Sequence, residues 1–178
     1  MGSFGPLNLD KEIPSYGHIT STPKPGWRNY PIVKTLENDF GIPIGFNTDV
    51  NAAALGEAIY GVAKGSDSCL YITFGTGIGA GAVVHGKLLQ GLSHLEMGHI
   101  LVRRHLEDEY EGLASGPAIE ARWGIRGVEL TDRPEACELQ SYYIAQAIME
   151  YLLILSLSEK SYPWWRNHES NTIISFNI

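Results

Sequence analysis

The fold is decided by residues 69–81, which have the sequence CLYITFGTGIGAG. Residues 69–74 are rich in strand formers, and residues 80–85 predict a second strand. The segment between them, residues 75–79, predicts a glycine-rich hairpin. Its glycines allow an anion to approach the backbone closely, so it is a candidate phosphate cradle, and the plain alternative is a hairpin of small residues. A dinucleotide-binding fingerprint is excluded because that motif opens a helix.

Upstream of the hairpin, the pattern alternates between helix and strand. Apolar residues recur at near-helical spacing over residues 31–40, and residues 43–46 predict a short strand. Residues 47–49, Asn-Thr-Asp, offer three N-cap candidates to a helix over residues 50–60. Asp49 therefore lies at a strand-to-helix turn, where open α/β sheets form their ligand crevice.

The ends of the chain carry weaker signals. Residues 1–30 contain many Gly and Pro residues and predict a loop. Downstream of the hairpin, Pro117 predicts the start of a helix that ends near residue 123, and a long helix is predicted over residues 135–156. The apolar pattern decays after residue 158, and residues 161–178 show no periodicity that would predict an element.

Composition excludes several classes of protein. The 178 residues include 13 Lys and Arg against 20 Asp and Glu, with no dense basic cluster, so nucleic acid is not an expected partner. Cys69 and Cys137 are far apart and form neither a disulfide framework nor a self-contained zinc motif. No signal peptide begins the chain, and the apolar run over residues 142–157 is shorter than the ~20 residues of a membrane span. We therefore expect no membrane association and a cytoplasmic location.

Several acidic and histidine residues are candidates for chemistry. Asp49 is either an N-cap or a general base, a role typically worth ~10²–10⁴ in rate. Glu96 and His99 lie within one turn and suit the hydroxyls of a polyol, whereas the plain alternative is a solvated polar loop. His94 precedes this pair, and the basic pair at residues 103–104 and His105 follow it. Zinc would need about four ligands including nearby Cys or His, but after His99 only His105 follows, then acidic residues and no Cys, so a metal site is the weaker interpretation.

Glu111 precedes a segment of small residues, 112–117, that leads into a helix N-terminus. Helix N-termini favour phosphate and carboxylate groups alike, so Glu111 could belong to a site there. The plain alternative is an ordinary surface acid.

Taken together and in this order, the motifs resemble the ROK family of bacterial sugar kinases and repressors, and among them the fructokinase branch. The resemblance covers residues 1 to about 158. It is carried by residues 2–6, 20–27, 48–57, 75–81, 96–99 and 111–117.

The resemblance implies the α/β, actin-like ATPase (ribonuclease H-like) fold of sugar kinases, here incomplete. It divides the chain into a remnant of the N-terminal lobe over residues 1–46, a central and C-terminal kinase lobe over residues 47–158, and an atypical tail over residues 159–178. It also implies phosphorylation of a hexose by ATP with Mg²⁺. The Thr-Asp pair at residues 48–49, in place of the Asn-Asp of many relatives, favours fructose as the hexose.

The resemblance gives each motif a role. Asp49 would be the base that activates the accepting hydroxyl, and the remaining residues fall into two groups. The sugar-binding group is Gly26, Thr48, Glu96, His99 and Glu111, and the group facing the ATP phosphates is Gly75, Thr76, Gly77 and Gly79.

Three departures from the family pattern bear on activity. The chain starts beyond the family's first phosphate loop, and residues 160–178 resemble neither the strand nor the adenosine segment that normally follow the long helix. The family's Cys/His-rich zinc loop is missing ahead of Glu111, so Zn²⁺ is expected for the family but lost here, and His99 is an orphaned metal ligand. The alternative to a working kinase is therefore a weak or inactive sugar-binding remnant.

A homodimer could cover a sheet edge that the missing first strands leave unpaired. A repressor is rejected because the sequence shows no basic helix-turn-helix ahead of the sugar-binding motifs.

Overall fold

The computed structural model describes residues 1–91, 95–100, 110–155, 164–168 and 171–177, and it gives only the backbone of residues 110–111 and of the last two ranges. Predictions that involve His94, Arg103, Arg104 and His105 lie outside the described residues.

Five α-helices and seven β-strands are formed by the described residues. The helices are α1 Ile32–Phe40, α2 Asp49–Tyr60, α3 Tyr110–Ala114, α4 Gly116–Trp123 and α5 Pro134–Leu155. The strands are β1 Gly2–Ser3, β2 Asn47–Thr48, β3 Cys69–Phe74, β4 Ile78–Val84, β5 Lys87–Leu88, β6 Trp164–His168 and β7 Asn171–Asn177. Two short 3₁₀ turns, Met97–His99 and Gly127–Glu129, lie between them.

The strands form two sheets. β1 and β2 pair in parallel, with Ser3 opposite Thr48. The larger sheet has the strand order β5-β4-β3-β7-β6, and each neighbouring pair in it is antiparallel. The predicted hairpin is confirmed, with Cys69 opposite Val83 and Phe74 opposite Ile78. Because β4 begins at Ile78, the connecting turn is shorter than predicted and contains residues 75–77.

Strand predictions near the N-terminus need correction. Residues 43–46 form no strand, and pairing starts one residue later, at Asn47. The partner strand, β1, lies within the segment predicted to be a loop. A strand of two residues has no periodicity to detect, and its position is set by a partner about 45 residues away. The rest of the N-terminal segment is held by bridges that Ile19, a fully buried residue, makes to Leu7 and Tyr30.

The tail also differs from the prediction. Residues 161–178 carry no periodic pattern, yet they contain β6 and β7, and β7 pairs with the second edge of β3 from Cys69 to Phe74. An exposed strand edge offers a row of unpaired backbone groups, and a segment can satisfy them without an apolar alternation of its own. The tail therefore extends the sheet.

Side chains alternate between the two faces of β3 and β4. On one face, Leu70, Ile72 and Phe74 pack with Tyr143 and Tyr151 of α5 in the larger core. A smaller core on the other face contains Ala54 of α2 together with Ala63, Cys69 and Val83. The sheet thus lies between α2 and α5, which confirms the predicted α/β class. Burial raises the pKa of the Cys69 thiol, whose Sγ donates to the Ala54 carbonyl, so this cysteine is a packing residue.

Two glycines let α2 approach β4 closely. A Cβ atom at Gly81 would overlap the Val50 carbonyl oxygen, and one at Gly79 would lie 2.8 Å from Val50 Cγ1. Both separations are shorter than a normal van der Waals contact. The first turn of α2 therefore lies directly on the backbone of β4, at the residues that follow the glycine-rich turn.

This packing predicts opposite effects of two Gly→Ala substitutions. Gly81→Ala should lower the free energy of unfolding by roughly 2–3 kcal/mol, because the methyl group has to push α2 away from β4. Gly56→Ala, within α2 and with no atom close to its added Cβ, should raise it by about 0.5–1 kcal/mol through helix propensity. Urea denaturation of both variants tests this. A Gly81→Ala protein as stable as the unsubstituted chain would contradict the close approach.

Candidate functional site

Asp49 is not the N-cap of α2. Thr48 has that role, since its backbone is extended and its Oγ1 accepts a hydrogen bond of 3.2 Å from the Asn51 N–H. The Asp49 carboxylate is exposed in the first turn, and its Oδ1 accepts a hydrogen bond of 2.9 Å from the Val50 N–H. The structure therefore removes the N-cap explanation for Asp49 and leaves its carboxylate facing solvent at a helix N-terminus.

The turn that contains Gly26, one of the predicted sugar-binding residues, lies beside the end of β1. Phe4 directly follows β1, just as Asp49 directly follows the parallel strand β2. The Phe4 ring contacts Trp27 edge to face at a centroid distance of 5.6 Å, and Lys24 Nζ lies 3.5 Å from the centre of the same ring. Gly26, which lies between Lys24 and Trp27 in the sequence, has a φ of 80°, a backbone conformation that favours glycine. Parallel strands end at the same edge of a sheet, so this turn and Asp49 lie on the same side of the molecule.

The glycine-rich turn between β3 and β4 leaves two amides available. The Gly75 N–H donates to the Gly77 carbonyl at 2.9 Å. Thr76 is exposed at the tip, and among the described residues no acceptor faces the N–H groups of Thr76 and Gly77. Two adjacent free amides on a turn of small residues can donate to a phosphate oxygen.

The N-terminus of α4 is already used by the protein. The Gly116 N–H donates to the Gly75 carbonyl at 2.9 Å, Pro117 has no N–H, and the Ala118 N–H donates to Ser115 Oγ at 3.4 Å. The donors of this helix are therefore used within the chain, and a site role for Glu111 beside the helix stays a prediction. The N-terminus of α4 fixes the glycine-rich turn through the hydrogen bond from the Gly116 N–H to the Gly75 carbonyl. Glu111 lies inside α3 rather than in a loop ahead of a helix, and its side chain is outside the description.

Glu96 and His99 lie together on a short turn, as their spacing predicted. The distance from His99 Nε2 to Glu96 Oε2 is 3.8 Å, and the two side chains are 50% and 53% exposed. Between them, Gly98 sits so close to the Ile78 carbonyl that a side chain would overlap it. This contact places the Glu96–His99 turn against the first residue of β4.

A buried tyrosine of α5 forms a hydrogen bond with the same turn. The Tyr151 hydroxyl donates a hydrogen bond of 2.9 Å to the Met97 carbonyl, and Tyr151 is 1% exposed. Burial raises the pKa of Tyr151 far above its ordinary value, so the hydroxyl stays protonated and remains a donor.

The structure gathers the predicted motifs around the amino-terminal half of β4. The start of α2 reaches it at Gly79 and Gly81, the Glu96–His99 turn reaches it at Ile78, and α4 reaches the preceding turn at Gly75. Segments that are 20 to 40 residues apart in sequence thus meet at one short stretch of chain. These segments present a carboxylate, a His-Glu pair and two amides for which the described part of the chain supplies no acceptor.

Two other observations concern the described residues only. They contain no group of three His, Cys, Asp or Glu side chains that could hold a metal ion, so the prediction of His99 as a metal ligand gains no support. They also contain no helix long and apolar enough to cross a membrane.

Sequence reasoning missed Tyr151 and Asn51, both of which act on the site from within the core. Asn51 is 1% exposed and bonds to Asn47, at the turn that carries Asp49. The sequence does contain a signal for each residue. Tyr151 has a polar hydroxyl although it lies among the apolar residues of α5, and Asn51 has the one side-chain amide in the alanine-rich helix α2. Such residues are usually buried only with a partner, so both positions suggest a specific bond.

Comparisons with known proteins agree with the resemblance. A family model described as the ROK family matches residues 1–156. A Bacillus subtilis protein with a provisional fructokinase name is 60% identical over 167 residues, which cover 88% of this chain and 56% of that protein. A fructokinase from Streptococcus mutans is 43% identical over 164 residues, covering 84% and 55%. The chain therefore spans a little over half the length of these curated relatives.

A solved structure gives the same result for the fold. The crystal structure of a ROK hexokinase from Thermus thermophilus superimposes with a TM-score of 0.73 at 31% identity, over 87% of this chain and 58% of that one. A ROK family glucokinase from Streptomyces griseus, solved with glucose and AMPPNP, gives a TM-score of 0.56 at 26% identity, over 84% of this chain and 52% of that one.

The buried Tyr151 bond predicts a pH dependence of stability. Above pH ~10, tyrosine ionises in the unfolded chain but not at this folded site, so the folded state binds more protons and the free energy of unfolding falls by about 1.4 kcal/mol per pH unit. In Tyr151→Phe, this contribution to the fall in the free energy of unfolding above pH ~10 should be absent. At neutral pH the same substitution should lower the free energy of unfolding by about 1 kcal/mol, because the hydrogen bond to Met97 is lost.

Urea denaturation between pH 7 and 11 tests this, with Tyr60→Phe as the control for removing an exposed tyrosine hydroxyl. An alkaline slope unchanged in Tyr151→Phe would contradict the buried, protonated donor.

Proposed function

The chain belongs to the ROK family and has the actin-like ATPase fold of its sugar kinases, and we propose that it phosphorylates fructose with ATP, using Asp49 as the general base. The observation that carries this proposal is the Asp49 carboxylate, which is exposed at the start of α2 and is not used as an N-cap. The fructokinase relatives support the choice of fructose as the accepting sugar.

In the proposed reaction, a hydroxyl of fructose attacks the γ-phosphorus of ATP. Asp49 accepts the hydroxyl proton, the new bond forms between that oxygen and phosphorus, and the bond to the leaving ADP oxygen breaks. The Asp49 Oδ1 accepts a hydrogen bond from the Val50 N–H, which orients the carboxylate while leaving Oδ2 for the proton. Phosphoryl transfer depends mainly on positioning and electrostatic stabilisation, so a well-oriented base at a rigid turn suits it.

The sugar would bind between the Glu96–His99 turn and the Gly26 turn. Glu96 accepts hydrogen bonds from sugar hydroxyls, and His99 can donate or accept, so the pair can hold neighbouring hydroxyls. We assign Thr48 to the wall of this pocket, next to the base, and Glu111 to the sugar site by the family motif alone. The contacts of Gly98 with β4 and of Tyr151 with Met97 give the Glu96–His99 turn the rigidity that such a clamp needs.

The phosphates of ATP would face the turn at residues 75–77. The amides of Thr76 and Gly77, which have no acceptor among the described residues, are suited to phosphate oxygens, and Thr76 is exposed beside them. Gly79 would take part by its close backbone approach, although its contact with Val50 already requires a glycine there. Mg²⁺ would enter with the nucleotide and neutralise phosphate charge.

The first test of the proposed function is a coupled ADP-release assay with fructose, glucose and mannose at saturating Mg-ATP. Fructose should give the highest kcat/KM. Asp49→Asn should lower kcat by roughly 10²–10⁴-fold, because the variant has lost the proton acceptor. Asp39→Asn, a matched change on the exposed surface of α1, should leave turnover unchanged.

Full turnover in Asp49→Asn would contradict the role of the base. An unsubstituted chain that shows no turnover, but whose melting temperature rises with fructose, would instead be a sugar-binding module without catalysis.

The phosphate-facing turn gives a separate prediction. Thr76→Ala should raise the KM for ATP by roughly five- to tenfold, as expected for one lost hydrogen bond to a charged group, and should leave the KM for fructose unchanged. Thr131→Ala, at another exposed threonine ahead of α5, serves as the control. Initial rates measured over a grid of ATP and fructose concentrations separate the two constants. An equal rise in both constants would place Thr76 outside the ATP site.

A further inference from the structure

Asn51 is a buried amide in an otherwise small and apolar part of α2. It is 1% exposed and lies two residues after Asp49, directly ahead of three alanines. An alanine at this position would continue the helix at no cost in burial or side-chain entropy. A buried side-chain amide in its place must gain from the bonds that it makes.

The bonds of Asn51 tie β2 to α2. Its Nδ2 donates to Asn47 Oδ1 at 2.9 Å, and the same oxygen accepts from the Thr48 N–H at 2.8 Å. The Asn51 N–H in turn donates to Thr48 Oγ1 at 3.2 Å. These bonds form a closed set among Asn47, Thr48 and Asn51, which we name the Asn relay. The other amide atom, Asn51 Oδ1, is buried and has no hydrogen-bond partner among the described residues.

The Asn relay fixes one side of Asp49, and β4 fixes the other. Thr48, which precedes Asp49, is held by the relay through both its N–H and its Oγ1. Val50, which follows Asp49, is held by its contact with Gly79 and Gly81. The Asp49 backbone therefore has fixed neighbours on both sides while its carboxylate stays exposed.

We propose that Asn51 is a positioning residue that acts through Asn47 to hold the Thr48–Asp49 turn in the orientation from which Asp49 takes the substrate proton. The proposal rests on the proposed function for its catalytic consequence. Its structural part, the immobilisation of Thr48 by the relay, stands on the hydrogen bonds and burial of these residues.

The test compares Asn51→Ala with Ala54→Gly. Ala54 is fully buried in the same helix, so its substitution weakens α2 without touching the relay. In the intact chain, Asn51→Ala should speed hydrogen exchange of the Thr48 amide by roughly tenfold relative to Ala54→Gly, because that amide loses its ordered acceptor. In the kinetic assay, Asn51→Ala should lower kcat by roughly 10- to 100-fold with the KM values for fructose and ATP within about twofold, as expected for a misplaced base.

A double-mutant cycle adds a second criterion. Asn47→Ala removes the shared acceptor, so its effect on Thr48 exchange should equal that of Asn51→Ala, and the double variant should be no worse than either. Additive effects, or equal Thr48 exchange in Asn51→Ala and Ala54→Gly, would overturn the proposal. A parallel rise in KM without a fall in kcat would also overturn it.

Hydrogen exchange does not depend on turnover, so the two proposals can fail separately. If the unsubstituted chain fails to phosphorylate any sugar, the proposed function fails, and the Thr48 exchange rates alone decide whether the relay exists.

Discussion

The contact between the first turn of α2 and the backbone of β4 is the constraint on which the site depends. Only glycine fits at residue 81, because the Val50 carbonyl occupies the space of a side chain. This close approach brings Asp49, at the start of the helix, to the strand that also receives the Glu96–His99 turn and follows the glycine-rich turn. A wider separation of helix and sheet would carry the carboxylate away from both of its proposed partners, since a helix moves as a rigid body.

The backbone donors of the site divide into those that the protein uses and those that it leaves available. The Gly116 and Ala118 N–H groups at the start of α4 donate to the Gly75 carbonyl and to Ser115 Oγ, so this helix end fixes the glycine-rich turn. Thr76 and Gly77, at the tip of the turn fixed by that helix, have no acceptor among the described residues. Free donors on an anchored turn are pre-organised for an anion, because little ordering remains to be done on binding.

The sequence predicted the β3–β4 hairpin, four of the five described helices and the order of the motifs, because each carries a local signal of propensity, capping or periodicity, whereas the short helix α3 was not predicted. It did not predict β1 or β7, whose positions depend on partners far away in the chain. Glycine spacing also had two possible causes. At residues 79 and 81 the structure shows a packing cause, the contact with Val50, while the phosphate-facing role of Gly79 stays a prediction. The roles of Asn51 and Tyr151 were not predicted, because the role of a single buried polar residue can be assigned only when its hydrogen-bond partner is known.

The proposed base and the proposed sugar clamp are supported from opposite faces of the sheet. Asp49 belongs to α2, which packs on the smaller core, whereas Met97 and Tyr151, which support the clamp, belong to the larger core beneath α5. The two cores lie on the two faces of β3 and β4, and the start of α2 and the Glu96–His99 turn both contact β4 between Ile78 and Gly81. Substitutions in the larger core can therefore shift the Glu96–His99 turn, and with it sugar affinity, while the orientation of Asp49 remains set by Thr48, Asn51 and the glycines of β4. Under the proposed function, such an arrangement would let sugar preference vary independently of the chemistry of transfer.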